Sequence, residues 1–329
     1  MKTKILKINP RKPEINKIKS AAKIIKSGGL VAFPTETVYG LGADVFNQSA
    51  VKKIFLAKGR PFDNPLIIHI ANIKDLYKLA EKIPETAIKL AKKFWPGPLT
   101  MVLNKKKSVP NCATAGLDTA AIRMPKNNIA LELIRASKTP IAAPSANLFT
   151  KPSPTSAKHV IEDLSGKIPM IIDGGQTKIG LESTVLDLTS KIPMILRPGK
   201  ITAEDLKPIL GKVSIYTYQP KAGRPRAEKP KSPGMKYRHY SPKAKVILIV
   251  GGKNKAKNKI KELEKIYKKT AIIRADKNIE KLSRDLFKKF REFDNKKIEI
   301  ILVEGVKEKG LGLALMNRLK KAANRIIKV

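Results

Sequence analysis

The chain has 329 residues and 36.4 kDa, with 68 Lys or Arg against 27 Asp or Glu, a formal charge of +41 and 42% apolar side chains. That length exceeds the size at which single cores usually stop growing, so two domains are expected. One cysteine, Cys112, and three histidines exclude a disulfide framework and a Cys/His zinc site. The charged N-terminus and the lack of any long uncharged apolar run predict a soluble, cytoplasmic protein.

Apolar residues at Ile15, Ile18, Ala22 and Ile25 have helical spacing, and Gly28-Gly29 stops that helix. Leu30 to Phe33 reads as a buried strand ending at Pro34. The polar, glycine-marked segment Thr35 to Gly42 reads as a strand-end turn, a common place for ligand contacts. A helix ending near Ala57, a Lys58 to Pro65 loop and a strand Leu66 to Ile70 follow. Helices near Ile73 to Ala80 and Pro84 to Phe94 then precede the rigid turn Trp95-Pro96-Gly97-Pro98 and a strand Leu99 to Leu103. The alternation continues through strand Ala120 to Met124, helix Ile129 to Ser137, strand Ile141 to Ala143, helix Ser156 to Leu164 and strand Met170 to Asp173. Further strands are expected at Ser183 to Leu188 and Ile195 to Arg197, and this mixture indicates an α/β sheet domain.

Composition changes after Ile215. Gln219 to Pro242, rich in Pro, Lys and Arg, reads as a linker. Beyond it, strand Val246 to Val250, a helix to Lys269, strand Thr270 to Arg274, helix Ile279 to Phe293, strand Ile298 to Val303 and helix Leu311 to Ala323 predict a small open parallel sheet.

The charge would attract any polyanion. Residues 213–329 hold 33 of the 68 basic side chains and 11 of the 27 acidic ones, an excess of 22. The excess is mostly lysine, aromatics are 5%, and no aromatic-basic stripe offers stacking on bases. RNA contact and a general Lys-rich composition both remain open.

No segment fits the G-x-x-x-x-G-K-[ST] phosphate loop, and no strand is followed by a full G-x-G-x-x-G. Instead, Lys58-Gly59-Arg60 supplies two cations, and Ser145-Ala146-Asn147 supplies a hydroxyl and an amide after the apolar run Ile141 to Pro144. Together these can grip and orient phosphate oxygens. If the two segments form one site, folding must bring them to one cavity.

Five segments in this order carry a resemblance: Pro34 to Gly42, Lys58 to Pro61, Trp95 to Thr100, Ala142 to Asn147 and Ser232 to Tyr240. Together they resemble the threonylcarbamoyl-AMP synthases in their long form, over almost the whole chain. The resemblance implies a YrdC-like twisted mixed-sheet catalytic domain at 1–212, a linker over the active site at 213–244, and a Rossmann-like open-sheet domain at 245–329. It implies a transferase that makes threonylcarbamoyl-adenylate and pyrophosphate from L-threonine, bicarbonate and ATP with magnesium. That product would pass to the transfer machinery that builds threonylcarbamoyladenosine beside the tRNA anticodon.

As the resemblance implies, Lys58, Arg60, Ser145 and Asn147 form the catalytic set, and these four with Thr119, Ser153, Arg197 and Tyr237 bind ATP. Thr35, His69, Arg123, Ala143 and Ser183 are expected at L-threonine, with Tyr237 as a lid over the mouth. Magnesium ligands are not identified. An arginine on an apolar strand needs an anion, so Arg123 meets either a substrate carboxylate or phosphate, or a structural partner in Glu36 or Glu182. His69 is equally a satisfied core histidine, Ser183 a strand hydroxyl bonded to backbone, and Cys112 a packed thiol.

A competing function is a tRNA- or double-stranded-RNA-binding module on the same fold. Another is the YrdC-type domain of hydrogenase-maturation carbamoyltransferases, which the single cysteine argues against because that architecture carries zinc-finger cysteines.

Overall fold

The structure is a computed structural model and describes residues 2–216, 231–232, 239–275 and 278–329. Its first sheet is built from β1 (Lys4–Lys7), β2 (Val31–Phe33), β3 (Gly40–Asp44), β4 (Ile67–His69), β5 (Leu99–Asn104), β6 (Thr119–Arg123), β7 (Ile141–Ala142), β8 (Met170–Asp173), β9 (Thr184–Asp187), β10 (Met194–Arg197) and β11 (Ser214–Ile215). Their order across the sheet is β1-β8-β2-β3-β7-β4-β6-β5-β9-β10-β11, with parallel and antiparallel neighbours mixed. Its helices are α1 (Ile15–Lys26), α2 (Gln48–Lys58), α3 (Leu76–Leu79), α4 (Glu85–Phe94), α5 (Asn111–Thr114), α6 (Asn128–Ser137), α7 (Ala157–Leu164) and α8 (Ala203–Leu210).

Val31, Ala32, Phe33, Ile68, Leu99, Ile122, Ile171 and Leu186 are fully buried in one core with Ile25, Ile54, Leu133 and Val160 from the helices. The strands read as apolar runs because both faces are covered, which is also why their residues lack clean alternation. Short polar caps set the helix starts: Asn47 accepts from the Ala50 amide, Asn127 from Ala130, and Thr202 and Asp205 form a reciprocal capping box at α8.

A second sheet of four parallel strands follows, ordered β13-β14-β12-β15, from β12 (Lys245–Val250), β13 (Thr270–Ile273), β14 (Ile300–Glu304) and β15 (Arg325–Lys328). Helices α9 (Lys253–Ile266), α10 (Ile279–Asn295) and α11 (Leu311–Ala322) lie between its strands in sequence. The mixed larger sheet and the small parallel one match the α/β architecture expected from the sequence.

Four details differ from the sequence reading. Gly40 onward is not turn but strand, because Gly42 and Leu41 pair with Val31 and Ala32. Lys4–Lys7 and Arg325–Lys328 form edge strands whose flanking charges masked their apolar pairs. Helix α8 tolerates Pro208 inside it, and β11 adds to β10 where a linker was expected. Leu181, from the first sheet's side of the chain, is fully buried in the second core with Leu286, Phe287 and Leu315, so the two units share packing.

Candidate active site

Backbone pairing brings two turns together. The Leu41 amide donates to the Pro144 carbonyl at 2.9 Å, the Ala146 amide to the Tyr39 carbonyl at 2.8 Å, and Gly40 bridges Ser145. The Thr35–Gly40 turn and the Ser145–Asn147 turn therefore form neighbouring walls. β4 and β6 run parallel with His69 opposite Arg123, which places both at strand ends facing the same hollow.

Gly59, in the left-handed conformation at φ 62°, ends α2 and turns the chain immediately after Lys58. Lys58 is 2% exposed, and its Nζ donates to the carbonyls of Ser145 and Asn147 at 2.5 Å each. Burial, and then the nearby Arg60, push its amine well below the ordinary lysine value. The two segments singled out by sequence thus meet, but Lys58 stands behind the Ser145–Asn147 turn as a strut.

Arg60 enters the cavity itself while its Nε and Nη2 donate to the Asn64 carbonyl and Nη2 also to that of Pro65. The cavity opens to solvent at its mouth. Thr35, Arg60, His69, Arg123, Ala143, Ser145, Asn147, Ser153, Ser183 and Arg197 all line it.

Arg123 reaches Thr37 Oγ1 at 3.0 Å and the Gly97 carbonyl at 3.2 Å. Its Nη2 lies 2.7 Å from Glu36 Oε2; neither atom has a well-angled hydrogen bond, so the pair is held by charge. Glu36, one of the two structural partners offered by the sequence, is paired with Arg123, which still lines the cavity. Thr35 Oγ1 donates to the Val38 carbonyl at 2.6 Å, and Ser183 Oγ is 2.8 Å from Thr100 Oγ1 and accepts from Arg197 Nη2 at 3.1 Å. His69 is pushed down to about 3 by burial and then by Arg123, so its imidazole is neutral, and its Nδ1 has no hydrogen-bond partner.

Thr119 is not brought to this cavity. It sits at the far end of β6 from Arg123, opposite Asn104, with a buried hydroxyl that has no partner. Tyr237 lies outside the described residues, but His239 and Tyr240 from the same motif line the cavity.

Three further groups did not emerge from sequence as site residues. Lys151 lines the wall and pairs with Asp163 at 2.9 Å. Glu182 accepts from Ser153 Oγ at 2.5 Å. Arg318, fully buried in α11, donates from Nε to Glu182 Oε2 at 2.8 Å and stacks its guanidinium 5.5 Å from the Tyr240 ring centre. A charge inside an apolar helix run is the signal that could have flagged Arg318. Its partner, 136 positions away, could not be read locally.

The described residues contain no group of three or more His, Cys, Asp or Glu that could hold a metal ion. Glu182, the carboxylate in the cavity wall, is committed to Ser153 and Arg318. The cavity suits anions: Arg60, Arg123, Arg197 and Lys151 line it, with hydroxyls and an amide set between them.

Comparisons with known proteins agree over the whole chain. Residues 23–199 match the family described as Telomere recombination, and residues 201–324 match Threonylcarbamoyl-AMP synthase, C-terminal domain. A threonylcarbamoyl-AMP synthase of Pyrococcus abyssi is 52% identical, aligned over 95% of this chain and 96% of that protein. One of Bacillus subtilis is 45% identical over 94% of each. The crystal structure of P. abyssi Sua5 complexed with L-threonine superposes with a TM-score of 0.93 at 51% identity, covering 99% of this chain and all of that one. The chain belongs to the threonylcarbamoyl-AMP synthase family.

Proposed function

We infer that this chain is a threonylcarbamoyl-AMP synthase, a nucleotidyl-transferring enzyme that serves tRNA modification. The observation that carries the reading is the convergence of Arg60, Arg123, Arg197, Ser145 and Asn147 on one cavity in a chain of this family. The P. abyssi Sua5 crystal structure is a complex with L-threonine. Here the threonine amine would add to the carbon of bicarbonate with loss of water. An oxygen of that carbamate would then attack the α-phosphorus of ATP, and pyrophosphate would leave.

In this reading Arg60, Arg197, Ser145, Asn147 and Ser153 hold the triphosphate and offset charge on the departing pyrophosphate. Thr35, His69, Arg123, Ala143 and Ser183 hold the amino acid. The pair Arg123–Glu36 is net neutral, so Arg123 orients Thr37 and offers part of its field rather than a bare charge. Neutral His69 contributes shape and a ring nitrogen, not a cation. Lys58 acts by fixing the Ser145–Asn147 turn against which phosphate would lie. The residues present do not fit a protein-held magnesium, because among those described no carboxylate in the wall is uncommitted. Any magnesium would come on the phosphates of ATP, and no step is assigned to it.

Residues 1–212 would form the catalytic unit, 213–244 the linker with Tyr237 as lid, and 245–329 the second unit. Excluding water matters because a carbamate and its mixed anhydride decompose readily. No helix among the described residues is long and apolar enough to cross a membrane, and a cytoplasmic place is part of this proposal. Contact with tRNA would belong to the later transfer machinery.

The test is to incubate pure protein with ATP, magnesium, bicarbonate and L-threonine and look for threonylcarbamoyl-adenylate by mass spectrometry. Folded protein that yields no product refutes the reading.

A further inference from the structure

The C-terminal unit packs behind the cavity wall at the short segment 180–183. Gly180, at φ 80°, lies so close to α10 that an added Cβ would stand 2.4 Å from the Arg284 Cα. The next residue, Leu181, is buried in the C-terminal core, and the next, Glu182, is in the cavity wall. Ser183 after it receives Arg197. Glu182 Oε1 takes the Ser153 hydroxyl, while Oε2 takes Arg318 Nε; Arg318 also donates to the Pro198 carbonyl at 2.8 Å.

A carboxylate in a cavity built for anions poses an electrostatic problem. Unanswered, it would repel the triphosphate and cancel one of the arginines. Burial alone would raise Glu182, yet Arg318 first and Arg197 second hold it below the ordinary carboxylate range. It therefore stays charged and accepts the Ser153 hydroxyl.

We propose that Arg318, from the last helix of the C-terminal unit, is a positioning residue for the ATP half of the site: it neutralises Glu182 and fixes it as the acceptor that orients Ser153. This gives the C-terminal unit a part in catalysis without contact with substrate. It rests on the synthase reading above.

The experiment measures KM for ATP and kcat by pyrophosphate release, with melting curves, on the full chain and on Arg318→Met, Glu182→Gln, the double variant Glu182→Gln/Arg318→Met, and Lys200→Ala. Lys200 pairs with Glu280 across the same two units at the surface, so its loss should leave kinetics unchanged. Arg318→Met should raise KM for ATP about tenfold or more by leaving Glu182 unpaired. The double variant should return KM to within about threefold of Glu182→Gln, because glutamine can still accept from Ser153 and no charge is left over. A purely structural Arg318 would not be rescued in this way.

Acid gives a second readout. Glu182 faces Arg197, Arg318, Lys321, Tyr240 and His239. Without Arg318 its proton affinity rises, so kcat/KM for ATP of Arg318→Met should improve relative to wild type as pH falls from 8 to 6.

Wild-type KM and an unchanged pH profile in a folded Arg318→Met overturn the proposal. So does a folded double variant tenfold worse than Glu182→Gln, and that comparison decides the matter if Arg318→Met does not fold. A wild-type chain that makes no threonylcarbamoyl-adenylate refutes the synthase reading instead.

Discussion

All three histidines of this chain are held neutral by burial, and that makes the fold acid-sensitive in a countable way. His69 and His239 are pushed down to about 3 and His159 to about 4, in each case first by burial and next by an arginine: Arg123, Arg60 and Arg291 respectively. In the unfolded chain a histidine titrates near 6.5. The unfolded state therefore binds protons that the folded state refuses, so stability present above pH 6.5 is lost as pH falls toward the folded values. At pH 5.5 each unfolded histidine is about nine-tenths protonated, so unfolding should take up about 2.7 protons, a slope of roughly 3.7 kcal/mol per pH unit. Between pH 7.5 and 5.5 the loss is about 1.4 kcal/mol for each fully hidden histidine, or roughly 3 to 4 kcal/mol once the half-buried His239 is discounted. The buried carboxylates Asp163, Glu182 and Asp187 are held below their ordinary values, so they add acid lability only below this window. Urea unfolding at half-unit steps from pH 7.5 to 5.0 measures the slope, and His69→Gln should remove about one proton from it. Uptake of less than about one proton at pH 5.5 would refute the claim that these rings are buried and neutral.

Other outcomes follow from individual contacts. Lys58→Met removes the donor from the Ser145 and Asn147 carbonyls, a cost of about 1–3 kcal/mol each, but also removes a costly buried ammonium, so the melting temperature should move little. Its effect should fall on kcat/KM instead, on the order of 100-fold, and wild-type kinetics would disprove the strut role. Arg123→Met leaves Glu36 buried beside apolar strands and should cost about 3–5 kcal/mol in urea unfolding, part of which Glu36→Gln restores in the double variant. Gly199→Ala would place a Cβ 2.3 Å from the Thr184 amide nitrogen and 2.7 Å from the Ser183 carbonyl carbon, and should destabilise by about 3 kcal/mol while raising KM through the displaced Arg197–Ser183 contact. The pH profile of kcat should show no histidine limb between 6 and 8, since His69 and His239 do not titrate there in the folded protein.

What could be read from sequence, and what could not, divides along one physical line. Strands such as Val31–Phe33 and Met170–Asp173 were legible because both faces are buried and the apolar run is unbroken. Lys4–Lys7 and Arg325–Lys328 were not, because an edge strand with charged ends carries no such run. The insertion of β7 between β3 and β4 has no local signal at all; it follows from long-range antiparallel pairing.

The cavity divides in the same way. Arg60, Ser145, Asn147 and Arg197 sit in short turns or at strand ends, where polar side chains have no packing motive, so their chemistry stands out in the sequence. Thr119 lies apart from this group because β6 carries it to the opposite end from Arg123. Lys58 was found, but its direction was not: a lysine beside an arginine reads as a phosphate grip until the fold supplies two carbonyls in front of it. Arg318 stands out as a charge in an apolar helix run, but its partner Glu182, 136 positions away, has no local signal. Groups that would touch substrate are fixed by local composition, whereas groups that hold them are fixed by whichever element topology delivers. The buried charges without a local partner are therefore where sequence reading should next look for the machinery it cannot see.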